Sequence, residues 1–456
     1  MKIFRAGDIR GIYPSMVNPE LGRKIGFAFV KLLNKNGVEK PRIAVGADAR
    51  LGSKEVREAV IEGIVSAGAH VIDIGHIPSP VVYYTTVTLE LDGGIQVTGS
   101  HNPKEFLGFK FCGRGAEPID YDNGIKDMED FCKSGKEIVS VPGGSKEEKD
   151  ISEDFINFIA GKTKLSKNLS IVVDAGNGIA GDIAKRLFER IGCKVDCLYC
   201  EPDGNFPNHL ANPLEKNTLR DLQKRVVETG ADMGLAFDGD GDRIGFVDKR
   251  GEIIIGDVLF SLLVEDTLKR SPGSKIIYDF ICSKTIDDVI RKNGGQPIVS
   301  RVGYNFIRKL MRKNGAELSG ETSAHFYFKE NYGYDDALFA GARILEILCN
   351  KNLDEFIESL PKYIVSDDIR IACKDEKKVL VVDEIKKHFQ EQNVKISDLD
   401  GVKVFFDNGW AAARPSNTTP VIVARWESSD QETFNRIGKF LIDIVNSYIE
   451  KYDASE

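Results

Sequence analysis

The sequence has no apolar run long enough to cross a bilayer, which excludes a membrane-spanning helix. It also lacks a long acidic or basic tail, and its net charge of −8 offers no general attraction for nucleic acid. Eight cysteines spread over 456 residues are too sparse for a disulfide framework and read as reduced thiols. The opening Met1-Lys2-Ile3-Phe4-Arg5-Ala6-Gly7-Asp8 is too polar for a secretory leader. These absences predict a soluble, cytoplasmic chain with neither a nucleic-acid nor a membrane partner. Cys193, Cys197 and Cys200 have the C-x3-C-x2-C spacing of an iron–sulfur site. They lie in a stretch that alternates like a strand, so their side chains diverge to both faces and a cluster is disfavoured.

What remains is ordinary globular composition, 42% hydrophobic and 29% charged, long enough for about three or four domains. The most informative run is Phe237-Asp238-Gly239-Asp240-Gly241-Asp242-Arg243. Its apolar lead-in, Met233 to Phe237, reads as a buried strand, and the glycines let the following backbone fold around an ion. Mg²⁺ takes oxygen ligands, and Asp238, Asp240 and Asp242 can supply three carboxylates to one cation. Arg243 adds a fixed positive charge, and a metal beside an arginine suits a phosphoryl group. An acidic turn is the plainer alternative. A helix-loop-helix calcium site fails, because Arg243 and Lys249 stand where glycine and glutamate are required.

One pattern recurs three times: strand, helix closed by glycine, second strand, then a third strand opening into a polar loop. The first copy has strands at Arg42 to Val45 and His70 to Ile74, a helix over Lys54 to Ala67, and a third strand ending at Val97 before Thr98-Gly99-Ser100-His101-Asn102-Pro103. The second has strands at Ser170 to Asp174 and Lys194 to Tyr199, a helix from Asp182 to Ile191, and the aspartate loop. The third has strands at Lys275 to Tyr278 and Pro297 to Ser300, a helix over Lys284 to Lys292, and a strand Ala316 to Ser319 that delivers Gly320-Glu321-Thr322-Ser323-Ala324-His325. Such alternation predicts mainly parallel sheets covered on both faces, with ligands beyond the carboxyl ends of the strands.

After about Ser366 the pattern changes to a short strand (Ile369 to Cys373), a helix (Glu376 to Gln390), strands at Val402 to Phe406 and Val421 to Trp426, and a helix from Gln431 to Glu450. The loop Arg414-Pro415-Ser416-Asn417-Thr418-Thr419-Pro420 is rich in donors and lacks acid, which suits a phosphate. We therefore expect an α/β protein: three similar mixed or parallel-sheet α/β domains (1–145, 146–250, 251–365) and a smaller C-terminal α+β domain (366–456), arranged around a central cleft.

Ser100 is the candidate nucleophile, on a tight turn with Pro103 placed to begin a helix. It becomes competent if a metal holds the transferring oxygens and a neighbouring base takes the proton, and His101 and Lys110 are near in sequence. A capped helix start is the alternative. Glu321, Ser323 and His325 alternate, so all three can face one side and read vicinal hydroxyls, though a solvated turn would look the same. Arg5, Arg10, Asp48 and Arg50 are further polar residues near strand ends, and most of them read by default as surface ion pairs.

Together the Thr98 to Pro103, Asp238 to Arg243, Gly320 to His325 and Arg414 to Pro420 loops resemble the four signature loops of the α-D-phosphohexomutases, in order and spacing over nearly the whole chain. Phe4 to Gly11 and Asp203 to His209 look most like the bacterial and archaeal phosphomannomutase/phosphoglucomutase branch. The resemblance implies a phosphoserine at Ser100, with Mg²⁺ bound by Asp238, Asp240, Asp242 and an oxygen of that phosphoserine. It implies Lys110 as general base or acid assisted by His101, and Arg10 and Arg243 stabilising the transferring group. Glu321 and Ser323, with His325 nearby, would bind sugar hydroxyls, and Arg414, Ser416, Asn417 and Thr418 the unreacting phosphate. The implied reaction interconverts mannose 1- and 6-phosphate, and the glucose pair, through a hexose 1,6-bisphosphate that also serves as activator. A phosphoglucosamine mutase and a non-catalytic sugar-phosphate sensor are the alternatives, and the chain would be a monomer or a dimer. Gly7, Ile281 and Tyr304 depart from the tyrosine, lysine and histidine common in the branch. Thr322 differs from the glutamine of phosphoglucosamine mutases, and Ala324 with His325 leans toward mannose phosphate.

Overall fold

A computed structural model describes residues 3–417 and 419–454. Three sheets share one plan, in which a parallel centre is extended on one side by an antiparallel return strand. In the first, Arg42–Ala47 lies between Gly93–Val97 and His70–His76, both parallel to it, and Phe106–Gly113 returns antiparallel beside Gly93–Val97. In the second, Ser170–Asp174 runs parallel to Lys194–Leu198 and Met233–Phe237, with Ile244–Asp248 returning. In the third, Lys275–Asp279 runs parallel to Gln296–Ser300 and Leu318–Gly320, with Phe326–Phe328 returning. The central strands are apolar because both faces are covered, and every residue of Met233–Phe237 and of Gly93–Val97 is buried.

Three edge strands extend the first two sheets beyond the repeat, and the first of them, Ile9–Ile12, pairs antiparallel with Phe106–Gly113. Ser145–Glu148 pairs with His70–His76, and its four exposed residues, Ser-Lys-Glu-Glu, blunt that edge with charge. Ile253–Ile254 pairs with Ile244–Asp248 on the second sheet. The fourth sheet is antiparallel, with Val421–Ser428 between Gly409–Pro415 and the strands Ile364–Val365 and Ile369–Ala372, and helices Lys378–Glu391 and Gln431–Asp453 packed on it. The strand Gly409–Pro415 escaped the sequence reading, since its Ala411-Ala412-Ala413 core has no strand-favouring residue.

One local expectation fails. No helix follows Ser100, because Pro103 sits in a turn that passes directly into Phe106–Gly113. The eight cysteines are free, and among the described residues Cys193, Cys197 and Cys200 form no metal-ligating group. No described helix is long and apolar enough to cross a membrane.

Candidate active site

Three loops leave the carboxyl ends of equivalent strands, Gly93–Val97, Met233–Phe237 and Leu318–Gly320, and meet. The Ser100 loop is shaped by two residues of the neighbouring strand end. Asp48 Oδ2 accepts from the Thr98 hydroxyl at 2.7 Å and the Gly99 N–H at 3.1 Å. Arg50, ion-paired to Asp48, donates to the carbonyls of Ser100, Asn102, Pro103 and Phe106. Four carbonyls drawn to one guanidinium curl the chain into a turn, where a helix would point them all along one axis. Ser100 is held at φ 49°, a left-handed conformation costly for a residue with a Cβ. Gly99 is obligatory here, since a Cβ would lie 2.4 Å from the Phe106 carbonyl oxygen.

The aspartate loop folds on itself. Asp238 Oδ1 accepts the N–H groups of Asp242 at 3.0 Å and Arg243 at 3.2 Å, and Gly241 takes φ 75°. Asp238 Oδ2 faces the other loop and accepts from Ser100 Oγ at 3.0 Å, while Ser100 Oγ is 3.2 Å from His101 Nδ1. Asp240 accepts from Ser79 and from Lys110 Nζ at 2.7 Å, and Lys110 also donates to Asp242. The three aspartates are wholly buried, and each offers an oxygen within 4.8 Å of the others.

Three buried carboxylates demand a cation, and the Lys110 ammonium meets part of that demand. Burial, Asp242 and Asp240 raise the Asp238 carboxyl well above its ordinary range. Burial works against the Asp242 carboxylate too, but Lys110 and His325 hold its pKa well down. Asp240 Oδ1 is buried with no hydrogen-bond partner. An all-oxygen set with one oxygen still unpaired fits a hard divalent ion.

The third loop joins the second through His325. Its Nε2 is 3.2 Å from Asp242 Oδ1, and its Nδ1 is 2.8 Å from Ser323 Oγ and 3.3 Å from Glu321 Oε2. Burial alone would lower its pKa, but Asp242 and Glu321 raise it to about 10. Arg243 Nε also lies 3.3 Å from Nε2. An imidazolium cannot accept there, so the ring donates to Asp242 and the arginine is a neighbouring cation. Glu321 further accepts from the Gly303 N–H at 2.8 Å and the Tyr327 hydroxyl at 2.6 Å, and Asp279 holds the Thr322 N–H at 2.8 Å. A second possible metal group, Asp242, His325 and Asp335, shares Asp242 with the first.

The fourth loop brings Arg414, whose Nε donates to Asp400 at 2.7 Å while Nη2 is buried without a partner. Ser416 Oγ is 3.0 Å from Thr419 Oγ1, and Asn417 donates to the Val302 carbonyl at 3.1 Å. Thr418 lies outside the described residues. Arg10 donates to Asn102 at 2.7 Å and Asp8 at 2.6 Å. Burial and the Arg243 and Arg10 charges push the His101 pKa well below its usual value.

The default reading of Arg5, Arg10, Asp48 and Arg50 as surface ion pairs is overturned, because they are only 8%, 8%, 0% and 3% exposed. Asp48 and Arg50 stand at a strand's carboxyl end, the one sequence signal that could have promoted them. Asp279, the last residue of strand Lys275–Asp279, shares that signal, whereas Ser79, at the start of helix Ser79–Thr88, does not.

A serine hydroxyl set against a buried carboxylate cluster, with Arg10 and Arg243 near it and a third polar loop joined to it through His325, defines a phosphoryl-transfer enzyme. The chain belongs to the phosphoglucomutase/phosphomannomutase family and is an isomerase of that family. The family's α/β/α domains I, II and III match residues 1–137, 153–251 and 255–363, and its C-terminal domain matches 369–444. It is 39% identical to a phosphomannomutase/phosphoglucomutase of Pseudomonas syringae pv. tomato, over 95% of this chain and 93% of that one. It is 35% identical to a phosphomannomutase of Methanocaldococcus jannaschii, over 100% of this chain and 99% of the other. The crystal structure of a phosphoglucomutase/phosphomannomutase family protein from Burkholderia thailandensis superposes with a TM-score of 0.89 at 35% identity, covering 98% of this chain and 97% of that one.

Proposed function

We propose that this enzyme reversibly interconverts mannose 1-phosphate and mannose 6-phosphate, and the corresponding glucose phosphates, in the cytoplasm. The observation that carries the reading is the 3.0 Å contact between Ser100 Oγ and Asp238, which sets a hydroxyl from one α/β unit on the carboxylate cluster of the next.

In this reading Ser100 carries a phosphoryl group at rest. Asp238, Asp240, Asp242 and a phosphoserine oxygen would hold Mg²⁺, which supplies charge neutralisation for the transferring oxygens. The free hydroxyl of the bound hexose monophosphate attacks phosphorus, the bond to Ser100 Oγ breaks, and the hydroxyl proton passes to a base. His101, kept neutral by burial and by the Arg243 and Arg10 charges, can accept it. Lys110, whose pKa is raised by Asp240 and Asp242 against burial, is a proton donor as placed. Arg10 and Arg243 steady the transferring group. The resulting hexose 1,6-bisphosphate turns round and returns its other phosphate to Ser100, and free bisphosphate recharges dephosphorylated enzyme as activator.

A substrate bound both ways round needs a hydroxyl reader and a remote anchor common to both orientations. Glu321, Ser323 and His325 are the reader, and Arg414, Ser416, Asn417 and Thr418 the anchor. A coupled assay over mannose, glucose and glucosamine phosphates with Mg²⁺ and a trace of bisphosphate, run beside intact mass, tests this. Mannose and glucose phosphates should turn over, and a fraction of the protein should carry one phosphoryl group that Ser100→Ala removes. A Ser100→Ala protein of undiminished activity would sink the reading.

A further inference from the structure

A continuous polar path crosses from the Arg414 loop to the Ser100 loop without touching the carboxylate cluster. It starts at Lys378, the first residue of helix Lys378–Glu391. Its largely buried Nζ donates to the Ser416 carbonyl at 2.7 Å, the Thr419 carbonyl at 3.1 Å and Asp375 Oδ1 at 2.7 Å. The other oxygen of Asp375 accepts from Arg5 of the first unit at 3.0 Å. Burial would raise the Asp375 carboxyl, but Lys378 and Arg5 hold it down and ionised. Arg5 lies in the turn, closed by an Arg5 N–H to Asp8 carbonyl bond of 2.8 Å, that carries Asp8 and Arg10 to Asn102.

The lysine acts on the loop through geometry. In a trans peptide the C=O and the next N–H point opposite ways, so a Ser416 carbonyl drawn to Lys378 sends the Asn417 N–H to the far side. An ammonium has three protons, and here two carbonyls and one carboxylate take all three. The same carboxylate is the link to the first unit, so loop shape and the seating of the fourth unit on the first depend on one ion-paired group.

We propose that Lys378 is a positioning residue that presets the Arg414 to Pro420 loop for the unreacting phosphate, and that Asp375 couples this setting to closure of the fourth unit against Arg5. The inference rests on the mutase reading above. Its signature is a binding defect with intact chemistry: Lys378 touches neither Ser100 nor the carboxylates, so its loss weakens the hold on a phosphate distant from the transfer.

Steady-state kinetics of the full-length Lys378→Met enzyme, which keeps the apolar stem, should show KM for mannose 1-phosphate raised at least tenfold and kcat within threefold of the parent. Phosphoryl occupancy of Ser100 by intact mass should be unchanged. Asp375→Asn should raise KM at least threefold, and the double variant should be no worse than Lys378→Met alone. A KM within twofold of the parent in Lys378→Met, or a loss confined to kcat, would overturn the proposal. If Lys378→Met does not fold, an unchanged KM in Asp375→Asn overturns it equally. A parent enzyme inactive on every hexose phosphate would instead defeat the mutase reading itself.

Discussion

Gly239 passes so close to Ser100 that a Cβ on it would lie 2.5 Å from the Ser100 carbonyl oxygen. The glycine between the first two aspartates therefore serves contact between two units as well as loop flexibility. Gly239→Ala must push the loops apart by nearly the ångström that separates this contact from an ordinary one, and a reacting group displaced by about 1 Å can cost ~100-fold in rate. We expect kcat to fall by about that factor with the melting temperature little changed, as single-turnover kinetics and calorimetry would report. Parental kcat in this variant would show that the two loops need not touch.

Arg50 is a loop-shaping residue whose guanidinium holds four carbonyls and an aspartate. Arg50→Met leaves Asp48 buried and unpaired and should destabilise the protein by about 3–5 kcal/mol. Ser100 should also lose its left-handed setting, with phosphoryl occupancy by intact mass falling together with kcat. Full occupancy in a destabilised variant would separate stability from loop shaping.

Divalent-ion removal provides a third test. Dialysis against EDTA should abolish turnover, and Mg²⁺ should restore it. Asp240→Asn, which keeps the shape and removes a charge from the residue with the unpaired Oδ1, should raise the Mg²⁺ concentration for half-maximal turnover at least tenfold. Turnover that persists after exhaustive chelation would remove the metal from the mechanism.

Asp279 gives a pH signature independent of the metal ligands. Burial, and secondarily Glu321, push its carboxyl from 3.8 up to about 6. A raised folded-state value means that the protonated form is favoured in the native state. Its contribution is complete below 3.8 and is lost as pH rises through about 6. Asp279→Asn cannot ionise, so its stability relative to the parent should improve between pH 4 and 7.5 by on the order of 2 kcal/mol, whatever the fixed cost of the substitution. Denaturant unfolding at the two pH values measures this, and a pH-independent difference would refute it.

Much of the fold is local enough to be legible in the chain. Helix Lys284–Lys292 and strands Ser170–Asp174 and Val402–Phe406 lie where apolar periodicity and flanking glycines place them, because each pattern is satisfied within a single element. The aspartate triplet is legible for the same reason, since alternate residues on a glycine-bearing turn share one ion whatever surrounds them. The loop after Ser100 misleads for the opposite reason. Pro103 favours a helix start locally, but Arg50, about fifty residues earlier, draws the Ser100, Asn102 and Pro103 carbonyls toward one guanidinium and so curls the chain out of a helical path.

The sequence by itself determined the elements of the three repeats, their alternation and the four chemically marked loops, all of which follow from spacing along the backbone. Only the tertiary structure decided which loops touch, that Asp48 and Arg50 are buried supports rather than surface charges, and that Lys378 reaches the Ser416 carbonyl. Those facts depend on groups far apart in the chain competing for the same donors and acceptors, and that competition is settled only when the units pack.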